Sequence, residues 1–224
     1  MIERKIKFND HEDSIFLWGA RQTGKSTLLM QRFPEAKYYD LLESDLYERF
    51  RRQPSLLRNE LSMIDSKTLI IIDEIQKIPE LLDEVHWLMS RRNMRFILSG
   101  SSARKLRRCG ANLLGGRAIR QQLFPFVSAE IPNFNLSRAI NNGMLPRHYL
   151  IENPAKRLQA YVGDYLREEI KEEALTRNIA SFSRFLETAA INDGEILNYN
   201  NIATDCGVSA PTVKEYFSIL EETL

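Results

Sequence analysis

A short segment near the amino terminus, Gly19–Thr27, sets the strongest limit on how this chain can fold, because it fits the Walker A pattern GxxxxGK[ST]. Its two glycines let the backbone curl around a polyphosphate so that N–H groups point at the oxygens. Lys25 is expected to reach the β- and γ-phosphates, and the Ser26 hydroxyl to bind Mg²⁺. The predicted nucleotide-binding residues are Gly19, Ala20, Arg21, Gln22, Thr23, Gly24, Lys25, Ser26 and Thr27.

The neighbours of this loop are those that a phosphate site needs. The apolar run 14–18 precedes it and is suited to a buried parallel strand. Residues 26–32 follow as a helix that Pro34 ends. The helix would direct its free N–H groups and partial positive charge at the phosphate. A surface turn that happens to contain glycines is the alternative, and this context disfavours it.

A second motif, Ile72-Asp73-Glu74, closes the most strand-like run of the chain, 68–72, in the manner of a Walker B strand. Asp73 is expected to hold Mg²⁺ opposite Ser26, and Glu74 to polarise the water that attacks the γ-phosphate as a catalytic residue. A strand end with two solvated carboxylates is the alternative. The chain lacks the guanine-reading pattern N-K-x-D, so ATP with Mg²⁺ is the predicted cofactor rather than GTP.

The strand that follows in sequence, 95–99, ends in polar residues. Ser99 is the better candidate for a catalytic contact with the γ-phosphate or the attacking water, and Ser101 is the second. A plain strand-end serine is the competing interpretation.

A run of positive charge follows. No acidic residue lies between Glu84 and Glu130, whereas the interval 91–120 carries nine Lys and Arg residues in a chain of net charge +1. One-signed runs generate a field that attracts polyanions. Arg117, after two glycines, is the first candidate for an arginine finger acting within a homo-oligomer in trans, and Arg108 is the second. The rest of the interval is a candidate contact for nucleic acid.

The alternation of strands and helices predicts an α/β fold, with a parallel-sheet P-loop NTPase domain of the AAA-like type over residues 1–130. Only helical patterns follow, so residues 131–224 are predicted to form an all-α domain. The spacing of Ala203, Gly207 and Val213 near its end is typical of a helix-turn-helix. Residues 195–224 carry a net charge of −4, which disfavours DNA binding by this motif. Because Leu224 falls at the end of that motif, we expect the native chain to continue.

The remaining composition narrows the setting. Cys109 and Cys206 are distant in sequence and form no C-x-x-C, which favours a reduced compartment. No apolar stretch has transmembrane length, and the charged amino terminus is unlike a signal peptide. The sequence thus predicts a cytoplasmic protein without membrane contact.

Taken together, these segments resemble the bacterial and archaeal AAA-type ATPases whose P-loop domain precedes a C-terminal domain of unknown function with a winged-helix-like core. The resemblance rests on GARQTGKSTLL, LIIIDEIQKIPELL, FILSGSSARKL, LLGGRA, LFPFVSAEIP, LPRHYL, YVGDYLREEI, ALTRNIASFSRFLETAAI and LNYNNIATDCGVS. It implies ATPase roles for Lys25, Ser26, Asp73 and Glu74. It also marks 116–118 as a recurring family element, which favours Arg117 as the finger.

Three functional hypotheses follow. The first is an ATPase that couples its nucleotide state to the helical domain, and Glu74 favours it. The second is a nucleotide-gated switch that binds DNA or a protein with little turnover, which the basic interval favours. The third, a small-molecule phosphotransferase, is disfavoured because no acceptor pocket is evident in the sequence.

Overall fold

The computed structural model describes residues 2–8, 13–101, 106, 114–165 and 179–223 of the chain. They fall into two compact units, Met1–Leu150 and Ile151–Leu224. Residues 131–150 belong to the first unit because Ile131 and Tyr149 share a small apolar cluster with Phe126. The sequence predicts that the ATPase domain ends at residue 130, and that functional boundary stays a prediction.

The first unit contains a parallel five-stranded sheet, as the sequence predicted. Its strands are β1 Ser14–Trp18, β2 Lys37–Asp40, β3 Leu69–Asp73, β4 Arg95–Gly100 and β5 Ala118–Gln122. They lie in the order β2-β3-β4-β1-β5, so β4 separates the strand of the phosphate loop from the strand that ends at Asp73.

Apolar side chains cover both faces of this sheet, as expected when successive strand residues alternate in direction. The helices of this unit are α1 Lys25–Arg32, α2 Ser44–Arg52, α3 Leu56–Leu61 and α4 Leu81–Arg92, followed after the sheet by α5 Leu136–Asn142 and α6 Pro146–Tyr149. One face of the sheet buries Phe16, Ile72 and Leu98, which lie in one cluster with residues of the helices α2–α4. The other face buries Leu17 and Ile97, which share a cluster with Leu29 of α1.

The second unit is helical. It comprises α7 Ala155–Ala160, a π-helical turn Tyr161–Tyr165, α8 Ile179–Ile191, α9 Tyr199–Cys206 and α10 Ala210–Thr223. Phenylalanines of α8 and apolar residues of α9 and α10 share one core. Residues 166–178, between the π-helical turn and α8, lie outside the described residues.

The turn between α9 and α10 contains Gly207 and Ser209. Gly207 takes a left-handed conformation with φ 67°, and the Ser209 hydroxyl accepts a hydrogen bond from Thr212 N at 3.3 Å. Asn198 caps α9 in the same way. The assignment of a helix-turn-helix, and of a winged-helix core, stays a prediction.

Within the described part of the chain, no helix has the length and apolar character needed to cross a membrane. The cytoplasmic location stays a prediction.

Candidate nucleotide-binding site

The phosphate loop begins directly after β1, and its conformation depends on its two glycines. Gly24 adopts φ 91°, a left-handed conformation that favours glycine, and α1 begins at the next residue. A Cβ at Gly19 would overlap the carbonyl oxygen of Leu123, whose own N–H donates to Trp18 O at 2.7 Å. Gly19 is therefore needed because the chain after β5 passes directly against the start of the loop.

Lys25 is buried inside the loop that it is predicted to serve. Its side-chain ammonium donates to the carbonyl oxygens of Gly19 at 2.6 Å and Ala20 at 3.0 Å. The Thr23 hydroxyl also donates to Ala20 O, at 2.8 Å. A buried charge needs such partners. The contacts hold the lysine at the loop, where a polyphosphate would meet it.

Asp73 lies at the carboxyl end of β3 and is 1% exposed. It accepts hydrogen bonds from Tyr38 Oη at 2.6 Å, from the backbone N–H of Glu74 at 3.0 Å, and from the Ser99 hydroxyl. Burial and the neighbouring Asp73 carboxylate raise the pKa of Tyr38 well above its usual value. The phenol therefore remains a proton donor to Asp73 at neutral pH.

The two predicted Mg²⁺ ligands meet at this tyrosine. The Tyr38 hydroxyl bonds to Asp73 and also hydrogen-bonds with the Ser26 hydroxyl. One phenol oxygen thus joins the start of α1 to the end of β3. A hydroxyl and a carboxylate brought together in this way are the oxygen ligands that Mg²⁺ prefers, so the residues fit the predicted ion.

Glu74 has an unusual backbone. Its φ of 59° places it in the left-handed region, which non-glycine residues adopt rarely and often at functional sites. Burial raises the pKa of Glu74, and the Asp73 charge adds to that effect, while Lys25, a hydrogen bond from Gln76 and Arg21 oppose it. The carboxylate therefore lies among the charges of the phosphate loop, which supports its predicted role near the nucleotide.

Both serine candidates form hydrogen bonds with residues at or just after the end of β3. Ser99 is fully buried and donates to Asp73. Ser101 accepts a hydrogen bond from Gln76 Nε2 at 3.2 Å. The structure thus brings both serines to the Asp73–Glu74 corner, and a contact of Ser99 with the γ-phosphate stays a prediction.

Arg117, in contrast, lies at the amino-terminal ends of the strands, whereas its own phosphate loop lies at their carboxyl ends. Ala118 pairs with Ser14 at the start of β1, whereas Gln122 pairs with Trp18 beside the loop. The five residues of β5 separate its amino-terminal end from its carboxyl end by about 17 Å. Arg117 is exposed and cannot reach the phosphate loop of its own chain along this strand.

Other arginines of the basic interval have different surroundings. Arg92 donates to the carbonyl oxygens of Leu61 and Ile64 and so serves the end of α3 and the turn after it. Arg95 begins β4 and so lies, like Arg117, at the amino-terminal ends of the strands. The second finger candidate, Arg108, lies outside the described residues, as do Arg104, Lys105 and Arg107.

Three side chains that the sequence analysis did not single out contribute to the site. Tyr38 and Gln76 are the first two. Arg4 is the third, since its guanidinium donates to Thr23 O of the phosphate loop at 2.7 Å and to Phe124 O at 2.6 Å. For Gln76, its place two residues after Glu74 was an available signal. The contacts of Tyr38 and Arg4 are distant in sequence and leave no local pattern.

Comparisons with known proteins match both parts of the chain. The family model described as "AAA domain" matches residues 11–132, and a model described as "Domain of unknown function (DUF8612)" matches residues 133–224. Among solved structures, a Walker-type ATPase of Pyrococcus abyssi superposes with a TM-score of 0.53 at 14% identity, covering 93% of this chain and 84% of that one. At that identity the likeness shows a shared fold.

Two curated relatives are each described as an "Uncharacterized protein". A protein of Mycobacterium tuberculosis is 25% identical over 218 residues, covering 94% of this chain and 48% of the relative. One of Methanocaldococcus jannaschii is 27% identical over 217 residues, covering 88% and 42%. The chain therefore spans about half the length of the curated relatives that it matches.

Proposed function

This chain belongs to the AAA domain family, and we propose that it hydrolyses ATP at Gly19–Thr27 with Glu74 as the catalytic base. The observation that carries the proposal is the meeting of Ser26 and Asp73 at the Tyr38 hydroxyl, with Glu74 and Lys25 electrostatically coupled beside them. We further propose that the nucleotide state is coupled to the helical unit 151–224.

Each residue has a defined task in this proposal. Backbone N–H groups of 19–24 and the Lys25 ammonium bind the β- and γ-phosphates. Ser26 and Asp73 hold Mg²⁺, which when bound neutralises charge on the phosphate oxygens. Glu74 orients a water molecule and accepts its proton, a task that suits a carboxylate whose pKa is raised by burial. Ser99 keeps Asp73 oriented through their hydrogen bond.

The test is steady-state phosphate release with ATP binding measured in parallel. Glu74→Gln should bind ATP with near wild-type affinity and lose about 10²–10⁴-fold in turnover, because only general-base catalysis is removed. Lys25→Ala should lose ATP binding itself. Glu80→Gln, at an exposed position six residues along, is the matched control and should keep full turnover. Wild-type turnover in Glu74→Gln would refute the assignment of the base.

A second candidate function is a nucleotide-gated switch that binds nucleic acid through the interval 91–120. The nine uncompensated positive charges of that interval favour it. Measuring ATP turnover with and without DNA separates the two functions. Turnover that is negligible in both cases, together with ATP-dependent DNA binding, would favour the switch.

A further inference from the structure

The Gln76 side chain lies buried between the ends of β3 and β4. It is 5% exposed and belongs to the 3₁₀ turn Ile75–Lys77 that follows Glu74. Its amide nitrogen donates to Glu74 Oε2 and, at 3.2 Å, to Ser101 Oγ. The same strand ends are also joined by the bond from Ser99 to Asp73. The Asp73 carboxylate is therefore bonded to Ser99 of β4, and the Glu74 carboxylate is bonded to Gln76, which contacts Ser101 directly after β4.

The amide oxygen of Gln76 is buried and has no hydrogen-bond partner among the described residues. An unpaired buried acceptor costs free energy, which an apolar side chain of similar size would not. A Cβ at Gly100 would overlap this same oxygen, so Gly100 provides the space that the amide occupies. An unfavourable group kept beside a candidate catalytic residue indicates a role other than packing.

We infer that Gln76 is a positioning residue that orients the Glu74 carboxylate for water activation. The inference rests on the proposed function, since it requires Glu74 to be the base. Gln76 anchors Oε2 of the carboxylate and thereby leaves Oε1 to accept the hydrogen bond of the attacking water. Ser101 in turn fixes the amide, so the geometry of the base depends on the end of β4 as well as on β3.

The experiment replaces the amide with an apolar side chain of similar volume, Gln76→Leu. We expect turnover at saturating ATP to fall about 10–100-fold, the range typical of losing an orienting partner. The affinity for a fluorescent ATP analogue should stay within two-fold of wild type. The melting temperature should stay the same or rise, because the unpaired oxygen is removed. A merely structural glutamine would instead lose stability and leave turnover per folded molecule unchanged.

Two further variants control this result. Gln121→Leu is the matched control, because Gln121 on β5 also has a buried amide oxygen without a partner among the described residues. Its amide nitrogen likewise donates a hydrogen bond, to Lys7 O at 2.9 Å. It should keep wild-type turnover. Gln76→Asn keeps the amide on a shorter stem that cannot span both partners, so it should lose turnover to an intermediate extent. It also keeps the test valid if Gln76→Leu does not fold.

A double-mutant cycle separates this inference from the proposed function. In the Glu74→Gln background, Gln76→Leu should cause no further loss of turnover, because its effect acts through the carboxylate. Full turnover in Gln76→Leu and Gln76→Asn, or additive losses in the double variant, would overturn the inference while leaving Glu74 as the base. Wild-type turnover in Glu74→Gln would overturn both.

Discussion

Asp73 shows how closely the residues of the site depend on one another. It accepts hydrogen bonds from Tyr38, from Ser99 and from the N–H of Glu74, and it is the proposed ligand of Mg²⁺. Three donors fix the direction of its carboxylate. Changes at the partners of Asp73 should therefore alter the handling of the ion more than the binding of the nucleotide.

Tyr38→Phe tests this dependence. Loss of the hydroxyl removes the link between Ser26 and Asp73, so the apparent Mg²⁺ affinity of the ATP-bound protein should fall about 10–100-fold. ATP binding without the ion should be unchanged. The measurement is a Mn²⁺ titration followed by electron paramagnetic resonance, with Mn²⁺ in place of Mg²⁺.

Tyr39→Phe is the matched control, because the next hydroxyl along β2 bonds to Glu60 instead, at 3.3 Å. Its Mn²⁺ titration should match that of the wild type. Equal affinities in Tyr38→Phe and wild type would show that the phenol does not position the ligands.

The residues that the sequence identified and those that it missed differ in a physical respect. Lys25, Ser26 and Asp73 belong to contiguous motifs, because one turn of loop or one strand end must present them together. Tyr38 and Arg4 reach their partners across 35 and 126 positions. Such contacts exist only after the sheet has formed, so no spacing in the sequence records them.

At the scale of elements, the sheet itself was predictable. Three of its strands, β1, β3 and β4, contain short apolar runs, and their alternation with helices of clear periodicity leads to a parallel sheet. The amino-terminal segment was not. Residues 2–8 carry Arg4, whose guanidinium lies over the Phe126 ring at 5.1 Å and pairs with Glu130 at 3.1 Å. The segment thereby joins the phosphate loop to the chain that follows β5.

Glu130 joins residues 2–8 to the chain that follows β5, and we call this set of contacts the amino-terminal clamp. Because Glu130 is a carboxylate, we expect the stability of the clamp to depend on pH. Its carboxylate accepts bonds from the backbone N–H groups of Lys5 at 2.7 Å and Val127 at 3.1 Å, and from Arg4. Burial acts to raise the pKa of Glu130, but these bonds outweigh it and lower the pKa below its usual value. Its stabilising contribution is therefore present above the unfolded pKa of about 4.3 and is lost as pH falls through the lower folded value.

Glu130→Gln should accordingly reduce the free energy of unfolding by about 1–3 kcal/mol at pH 7. The difference from wild type should shrink as the pH falls below about 4. Denaturation followed by tryptophan fluorescence reports on this unit alone, since Trp18 and Trp87 both belong to it. Glu3→Gln, at an exposed position of the same segment, should change nothing. A difference that is independent of pH would mean that the Glu130 charge is not what stabilises the clamp.

At the scale of the whole molecule, a second copy can supply a positive group for the charge that develops during hydrolysis, in addition to Lys25 and Arg21, which act on Glu74 within the chain. Arginine fingers that supply it are worth about 10³–10⁵ in rate. Arg117 is exposed at the amino-terminal ends of the strands, and its own phosphate loop lies at the carboxyl ends. That position is unsuited to action within one chain and suited to action on a neighbouring copy.

We therefore expect turnover per molecule to rise with protein concentration, and Arg117→Ala to bind ATP but hydrolyse it slowly. Arg120→Ala, an exposed arginine on the same strand, is the control and should keep its turnover in the absence of DNA. The decisive measurement mixes Arg117→Ala with Lys25→Ala. In a shared site the first variant supplies an intact phosphate loop and the second an intact finger, so part of the activity should return. If mixtures shown to form hetero-oligomers recover no activity, Arg117 does not act in trans.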